Sequence, residues 1–164
     1  MLVFCFVAQA APAPIKVKPG SIAKAVKSGF FAGGEAANEF SLIEATAKRA
    51  GEEETLILHY GDVQGQPLRG KPGFFQAVLD REGKRLVIDL SQVSRTAIDP
   101  ETLRKKLAAW KLVSVIDMTM DPTDMSTNIT LNLKQPVELT VGASDDASPS
   151  QITFTLKPVA GGRK

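Results

Sequence analysis

The chain has 164 residues, 43% of them hydrophobic, 23% charged and 6% aromatic, with a formal net charge of +2. At ~150 residues per domain this predicts one domain with a tail, long enough to bury a core without disulfides or metals. The near-neutral balance argues against a nucleic-acid binder driven by phosphate contacts. One Cys and one His exclude an internal disulfide framework and a zinc site with several such ligands, and no cofactor or metal is expected.

Met1 to Ala8 (MLVFCFVA) is an uncharged apolar run, followed by Ala8-Gln9-Ala10 and then by Ala-Pro-Ala-Pro. This pattern predicts a secretory signal over residues 1–10, cleaved after Ala10, although no Lys or Arg precedes the run; a buried first strand is the alternative. A membrane span needs ~20 apolar residues, so no stable span is expected. Loss of Cys5 with the signal leaves a cysteine-free chain suited to an oxidising compartment. Residues 11–38 are rich in Ala, Gly, Pro and Lys and read as a linker or loosely ordered segment, with Lys16, Lys18, Lys24 and Lys27 in solvent.

From Glu39 the pattern turns to strands. Phe40 to Lys48 is read as a strand rather than a helix, because a Gly-containing turn joins it to the strong strand Thr55–Tyr60. Gly61 to Gly73 is a long Gly/Pro-rich loop. Phe74–Asp80 and Lys84–Ser91 form a hairpin around Arg81-Glu82-Gly83. One helix is predicted near residues 99–110: Asp99 is a good N-cap, Pro100 fits the first turn, Ile98 and Leu103 have the spacing of a hydrophobic staple, and Leu103, Leu107 and Trp110 make one apolar stripe.

After the helix, apolar and polar residues alternate over Ile116–Asp121, Thr127–Leu133, Val137–Val141 and Ile152–Leu156, with Met118 and Met120 expected on the dry face. Four strands thus precede the helix and four follow it. Adjacent antiparallel strands usually pair, and two sheets packed face to face bury both apolar faces. The predicted fold is an all-β sandwich of two four-stranded antiparallel sheets, bridged by the helix.

The strand Arg85-Leu86-Val87-Ile88-Asp89-Leu90, the later segment Val113-Ser114-Val115-Ile116, and the strands Asn128–Leu133, Pro136–Val141 and Gln151–Leu156 resemble the AMIN domain over residues 39–158, with 159–164 as a tail. AMIN domains lie in the bacterial periplasm, beside cell-wall amidases and type IV pilus secretins, and fold as two packed four-stranded sheets. The resemblance implies a non-catalytic, periplasmic targeting module that associates with peptidoglycan or with an envelope protein complex.

Among chemistry-bearing residues, His59 is the one candidate general base, and nothing around it in sequence resembles a nucleophile elbow. Asp117, Asp121 and Asp124, and Asp145-Asp146, read as turn residues rather than metal ligands. Glu52-Glu53-Glu54 reads as a hairpin tip. In the 61–73 loop, Gln64, Gln66, Arg69, Lys71 and Phe74 are the candidate binding residues: amides beside an aromatic suit a glycan, and the cations suit wall-peptide carboxylates. An exposed sheet edge is a second route to a partner. Three functions follow in order: a peptidoglycan-binding module, an accessory protein docking on a secretin or other envelope machine, and a hydrolase using His59.

Overall fold

The structure, a computed structural model, describes residues 13–36 and 39–160. The signal expected at 1–10 and residues 161–164 of the expected tail lie outside the described residues. Three short strands come first: β1 (Ile15–Val17), β2 (Ser21–Ile22) and β3 (Gly29–Gly33). Then follow β4 (Phe40–Ala50), β5 (Glu53–Gly61), β6 (Phe75–Leu79), β7 (Arg85–Leu90) and β8 (Val93–Thr96). Helix α1 (Pro100–Ala108) precedes β9 (Val113–Asp121), β10 (Ser126–Leu133), β11 (Val137–Ala143) and β12 (Gln151–Pro158).

The fold is all-β in character, with two sheets around one core. Their make-up corrects the expectation of two four-stranded antiparallel sheets. The first sheet has six strands in the order β1-β3-β6-β7-β10-β9, and the second has five in the order β11-β12-β5-β4-β8. The β2 segment adds a further strand along the outer side of β11, through Gly20 N–H to Ala143 O (2.9 Å) and Ala23 N–H to Val141 O (2.8 Å). Both sheets are mixed, since β1 runs parallel to β3 and β8 parallel to β4. The eight strands expected from the sequence form hairpins β4–β5, β6–β7, β9–β10 and β11–β12. These interleave, β7 with β10 and β5 with β12. The added strands are short and carry no two-residue period, so they leave no pattern to count.

The segment 11–38, read as a linker, is therefore part of the sandwich over its described residues. Val17 and Phe31 are buried in the core. The glycines that read as breakers have a packing role instead: a Cβ on Gly33 would meet the Phe75 ring at 2.8 Å, so only glycine lets β3 lie this close to β6. Across the sandwich, Phe75 and Phe154 meet edge to face with centroids 6.3 Å apart, a favoured aromatic geometry.

Helix α1 starts where expected. Asp99 accepts hydrogen bonds from the Thr102 amide and hydroxyl, both at 2.8 Å, and these hold its carboxyl below the usual carboxylate range. Leu103 and Leu107 are buried. Lys106 donates to the Ala45 carbonyl (3.0 Å) and Arg49 to that of Ala109 (3.2 Å), so the helix bridges from β4 to the neighbouring edge at β9. Among the described residues, no helix is long and apolar enough to cross a membrane. The dry face of β9 is shorter than expected: Ile116 is buried and Met118 half-buried, but Met120 is 47% exposed. β9 is the outermost strand of its sheet, and exposure rises along it toward its C-terminal end.

Tyr60 is buried against Phe40, with centroids 5.6 Å apart, and its hydroxyl meets no hydrogen-bonding partner among the described residues. Burial pushes its phenol far above the ordinary range. An unfolded tyrosine ionises near ~10, so the folded state holds the neutral form and its stability falls as pH rises past that value. Tyr60→Phe is expected to keep or raise stability by ~1 kcal/mol, because it removes an unpaired buried hydroxyl, and to move alkaline unfolding to higher pH. Circular dichroism against pH checks both; earlier alkaline unfolding of Tyr60→Phe than of the parent contradicts them.

Candidate functional site

The outer face of the second sheet is built from the polar halves of its alternating strands. With Leu139, Val141, Ile152, Phe154 and Leu156 turned into the core, Thr140, Gly142, Gln151, Thr153 and Thr155 turn outward. The register sets Thr140 opposite Thr155 and Gly142 opposite Thr153. Gln151, Thr153 and Thr155 in turn lie opposite His59, Ile57 and Thr55. The result is a threonine-rich polar surface with a dip at Gly142, which has no side chain to fill it.

That dip is a groove of about 500 Å³. Thr140, Gln151, Thr153 and Thr155 line it. Ile22 of β2, 75% exposed, stands at one side. Glu53, ion-paired to Lys157 at 3.4 Å, marks one end. The turn at 144–149 walls the other. Asp145 organises that turn: its Oδ1 accepts from the Ser148 hydroxyl (2.7 Å) and from the amides of Ser148 (3.0 Å) and Ala147 (3.1 Å). The same bonds hold its carboxyl below the usual range, the Ser148 hydroxyl foremost. The groove thus offers hydroxyls, an amide and two carboxylates, with no cation among its lining residues.

The 61–73 loop, expected to display binding groups, is strapped down behind this wall. Gly70 N–H donates to Ser148 O (2.8 Å), Ser144 Oγ to Gly70 O (2.8 Å) and Ser150 Oγ to Lys71 O (3.2 Å). Arg69 donates to the Ala147 carbonyl (3.0 Å). Lys71 donates to Glu35 (2.5 Å) and lies 3.7 Å from Asp146; the Glu35 hydrogen bond holds its ammonium above the usual lysine range. Arg69 and Lys71 are therefore brought together on the turn. Gln64 and Gln66 are exposed farther along the loop, their backbone amides bonded to the Asp62 carboxylate at 2.9 Å each. Phe74 is half-buried at the loop's exit. None of these five lines the groove; Arg69 and Lys71 shape its wall. The lining threonines and Gln151 were visible in sequence only as wet-face residues. The usable signal was the repeated outward hydroxyl in two successive strands, broken by one glycine.

His59 lies on the same outer face, with Nε2 3.0 Å from the Thr46 hydroxyl. The nearby carboxylate, Glu44, accepts from that hydroxyl at 3.5 Å, so it sits on the hydroxyl side of the pair rather than behind the imidazole. The acid–imidazole–hydroxyl order of a hydrolytic triad is not what these bonds form. Asp121 accepts from the Thr123 amide (2.8 Å) and the Asp124 amide (3.3 Å), which is turn chemistry. Among the described residues, no three His, Cys, Asp or Glu side chains converge as a metal site. Comparisons with protein-family models, with curated proteins and with solved structures find no match to this chain.

Proposed function

We propose that the chain is a non-catalytic, AMIN-like binding module of the bacterial periplasm that recognises peptidoglycan and localises itself or a partner at the cell wall. The groove on the outer face of the second sheet carries this reading. Its hydroxyls and the Gln151 amide match the hydroxyl and acetamido groups of a wall glycan. The turn is held from behind by Arg69, Ser144 and Ser150, so the wall is preorganised and little ordering entropy is lost on binding. His59 is outside the lining, which favours binding over hydrolysis as the role of this face.

The test is co-sedimentation of the protein with purified sacculi. The parent is expected to sediment with them at moderate salt. Thr153→Arg, which fills the groove from an outward position, is expected to weaken binding about tenfold, equivalent to ~1.4 kcal/mol. A parent that stays in the supernatant overturns the peptidoglycan reading; a Thr153→Arg protein that binds like the parent moves the contact away from the groove.

A further inference from the structure

Among the described residues, β9 has β10 as its one strand neighbour and forms an edge of the first sheet. One hydrogen bond shows which backbone groups face outward. Arg104 of α1 donates from Nε to the Ile116 carbonyl at 3.1 Å, so that carbonyl points away from β10. In an antiparallel strand the N–H and C=O of a residue share a side, and every second residue repeats it. The register with β10 is unbroken from Val115 to Asp121. Met118 and Met120 therefore also turn their N–H and C=O to the open side.

The two halves of this edge differ. Around Val113–Ile116 it faces α1 across a groove that Arg104, Leu107 and Ala108 share, and Arg104 occupies the Ile116 carbonyl. From Asp117 to Asp121 no strand of the described fold pairs with the side away from β10, and α1 reaches this stretch only through Arg104. Here the side chains split by parity: Asp117, 62% exposed and 3.9 Å from the Arg104 guanidinium, Thr119 and Asp121 stand on the outer face, while Met118 and Met120 line the inner side, with Met120 47% and nearby Met125 40% exposed. An edge strand with free backbone groups is a template for another strand. This stretch contains no proline, glycine or lysine to discourage one.

We propose that residues 117–121 of β9 take up an extended segment of a partner protein as an added strand, one that alternates basic residues facing Asp117 and Asp121 with apolar residues facing Met118 and Met120. Charge complementarity selects this occupant, because opposite charges on neighbouring strands are stabilising and like charges are not. It also disfavours a second copy of the chain. The two-fold pairing that uses both Met118 and Met120 centres on Thr119, and it sets Asp117 of one copy opposite Asp121 of the other. Methionine suits the inner side, since its flexible thioether adapts to varied apolar partners. The edge lies on the first sheet and the groove on the second, so this site stands independently of the peptidoglycan reading.

The experiment uses the full chain and two short fluorescent peptides, one alternating Lys and Val and the other Glu and Val. Fluorescence anisotropy is expected to show saturable binding of the basic peptide only. Met120→Pro removes an outward N–H without touching the β10 ladder and is expected to weaken binding about tenfold, the scale of one lost hydrogen bond. Thr119→Lys places, between the two aspartates, a charge like that of the peptide's lysines and is expected to weaken binding about fivefold. On binding, the Met118 and Met120 amides should gain protection from hydrogen exchange, while the Thr119 amide, already in the β10 ladder, should not. Equal binding of both peptides, unchanged affinity in Thr119→Lys, or unchanged exchange at Met118 and Met120 overturns the proposal. So does a free chain whose dimerisation Thr119→Lys abolishes, since that makes a second copy the occupant. Should Met120→Pro fail to fold, the Thr119 variant and the exchange pattern decide.

Discussion

Glu54→Ala is expected to lose ~2–5 kcal/mol of stability, the scale of leaving two backbone donors without their charged acceptor. Glu54 is 2% exposed. Its carboxylate accepts the backbone amides of Lys111 and of Leu112, the latter at 3.0 Å, and Arg49 Nε lies 3.7 Å away. These bonds fix the chain between α1 and β9 to the start of β5. Alanine leaves two backbone N–H groups without acceptors and removes the counter-charge of Arg49. Each unsatisfied buried donor costs ~1–3 kcal/mol; Arg49, 39% exposed, is largely resolvated and adds less. Glu54→Gln keeps one acceptor oxygen and is expected to lose about half as much. Urea unfolding followed by Trp110 fluorescence checks both, and a Glu54→Ala loss below ~1 kcal/mol contradicts the argument.

Phe31→Ala is expected to lose ~3–5 kcal/mol, the range for truncating a fully buried phenylalanine. Phe31 is 0% exposed and sits in β3 opposite Ile15 of β1 and Ala77 of β6. Its neighbour Phe30 points to the other side of the sheet and is half-buried. Phe30→Ala should therefore lose much less, ~1 kcal/mol, as a partly solvated site allows. The pair separates the observed fold from a loosely held N-terminal segment, in which neither change would exceed ~0.5 kcal/mol. Equal, small losses in urea midpoints would mean that β1 and β3 contribute little to the sandwich.

The contrast between these two residues shows where sequence reading reached and where it stopped. Phe30-Phe31 sits between a lysine-rich stretch and a pair of glycines, so its surroundings read as breakers. The burial of Phe31 depends on β6, more than forty positions away in the chain. Glu54 follows two other glutamates, and the run reads as a solvated turn. Its burial follows from the return of the chain at Lys111 and Leu112, which no local pattern announces. The candidate site divides the same way. The charges of Arg69 and Lys71 are legible in the sequence; their contacts with Ala147, Glu35 and Asp146 are not.

The local signals were sound because they are short-range. Period-two alternation marks a half-buried strand wherever it lies, and this yielded β7 and β9 to β12, while β4 to β6 were legible from apolar runs bounded by turn residues. The Asp99 cap and the Leu103–Leu107 stripe need only one helix to be meaningful. What required the folded chain was every pairing between segments distant in sequence. The joining of β7 to β10 and β5 to β12, the docking of β1 to β3, the groove between β2 and β12, and the open half of β9 all depend on which hairpin edges meet. Alternation gives a strand one dry face; it carries no record of its lateral neighbour, and that neighbour is chosen by the shape and closure of the whole core.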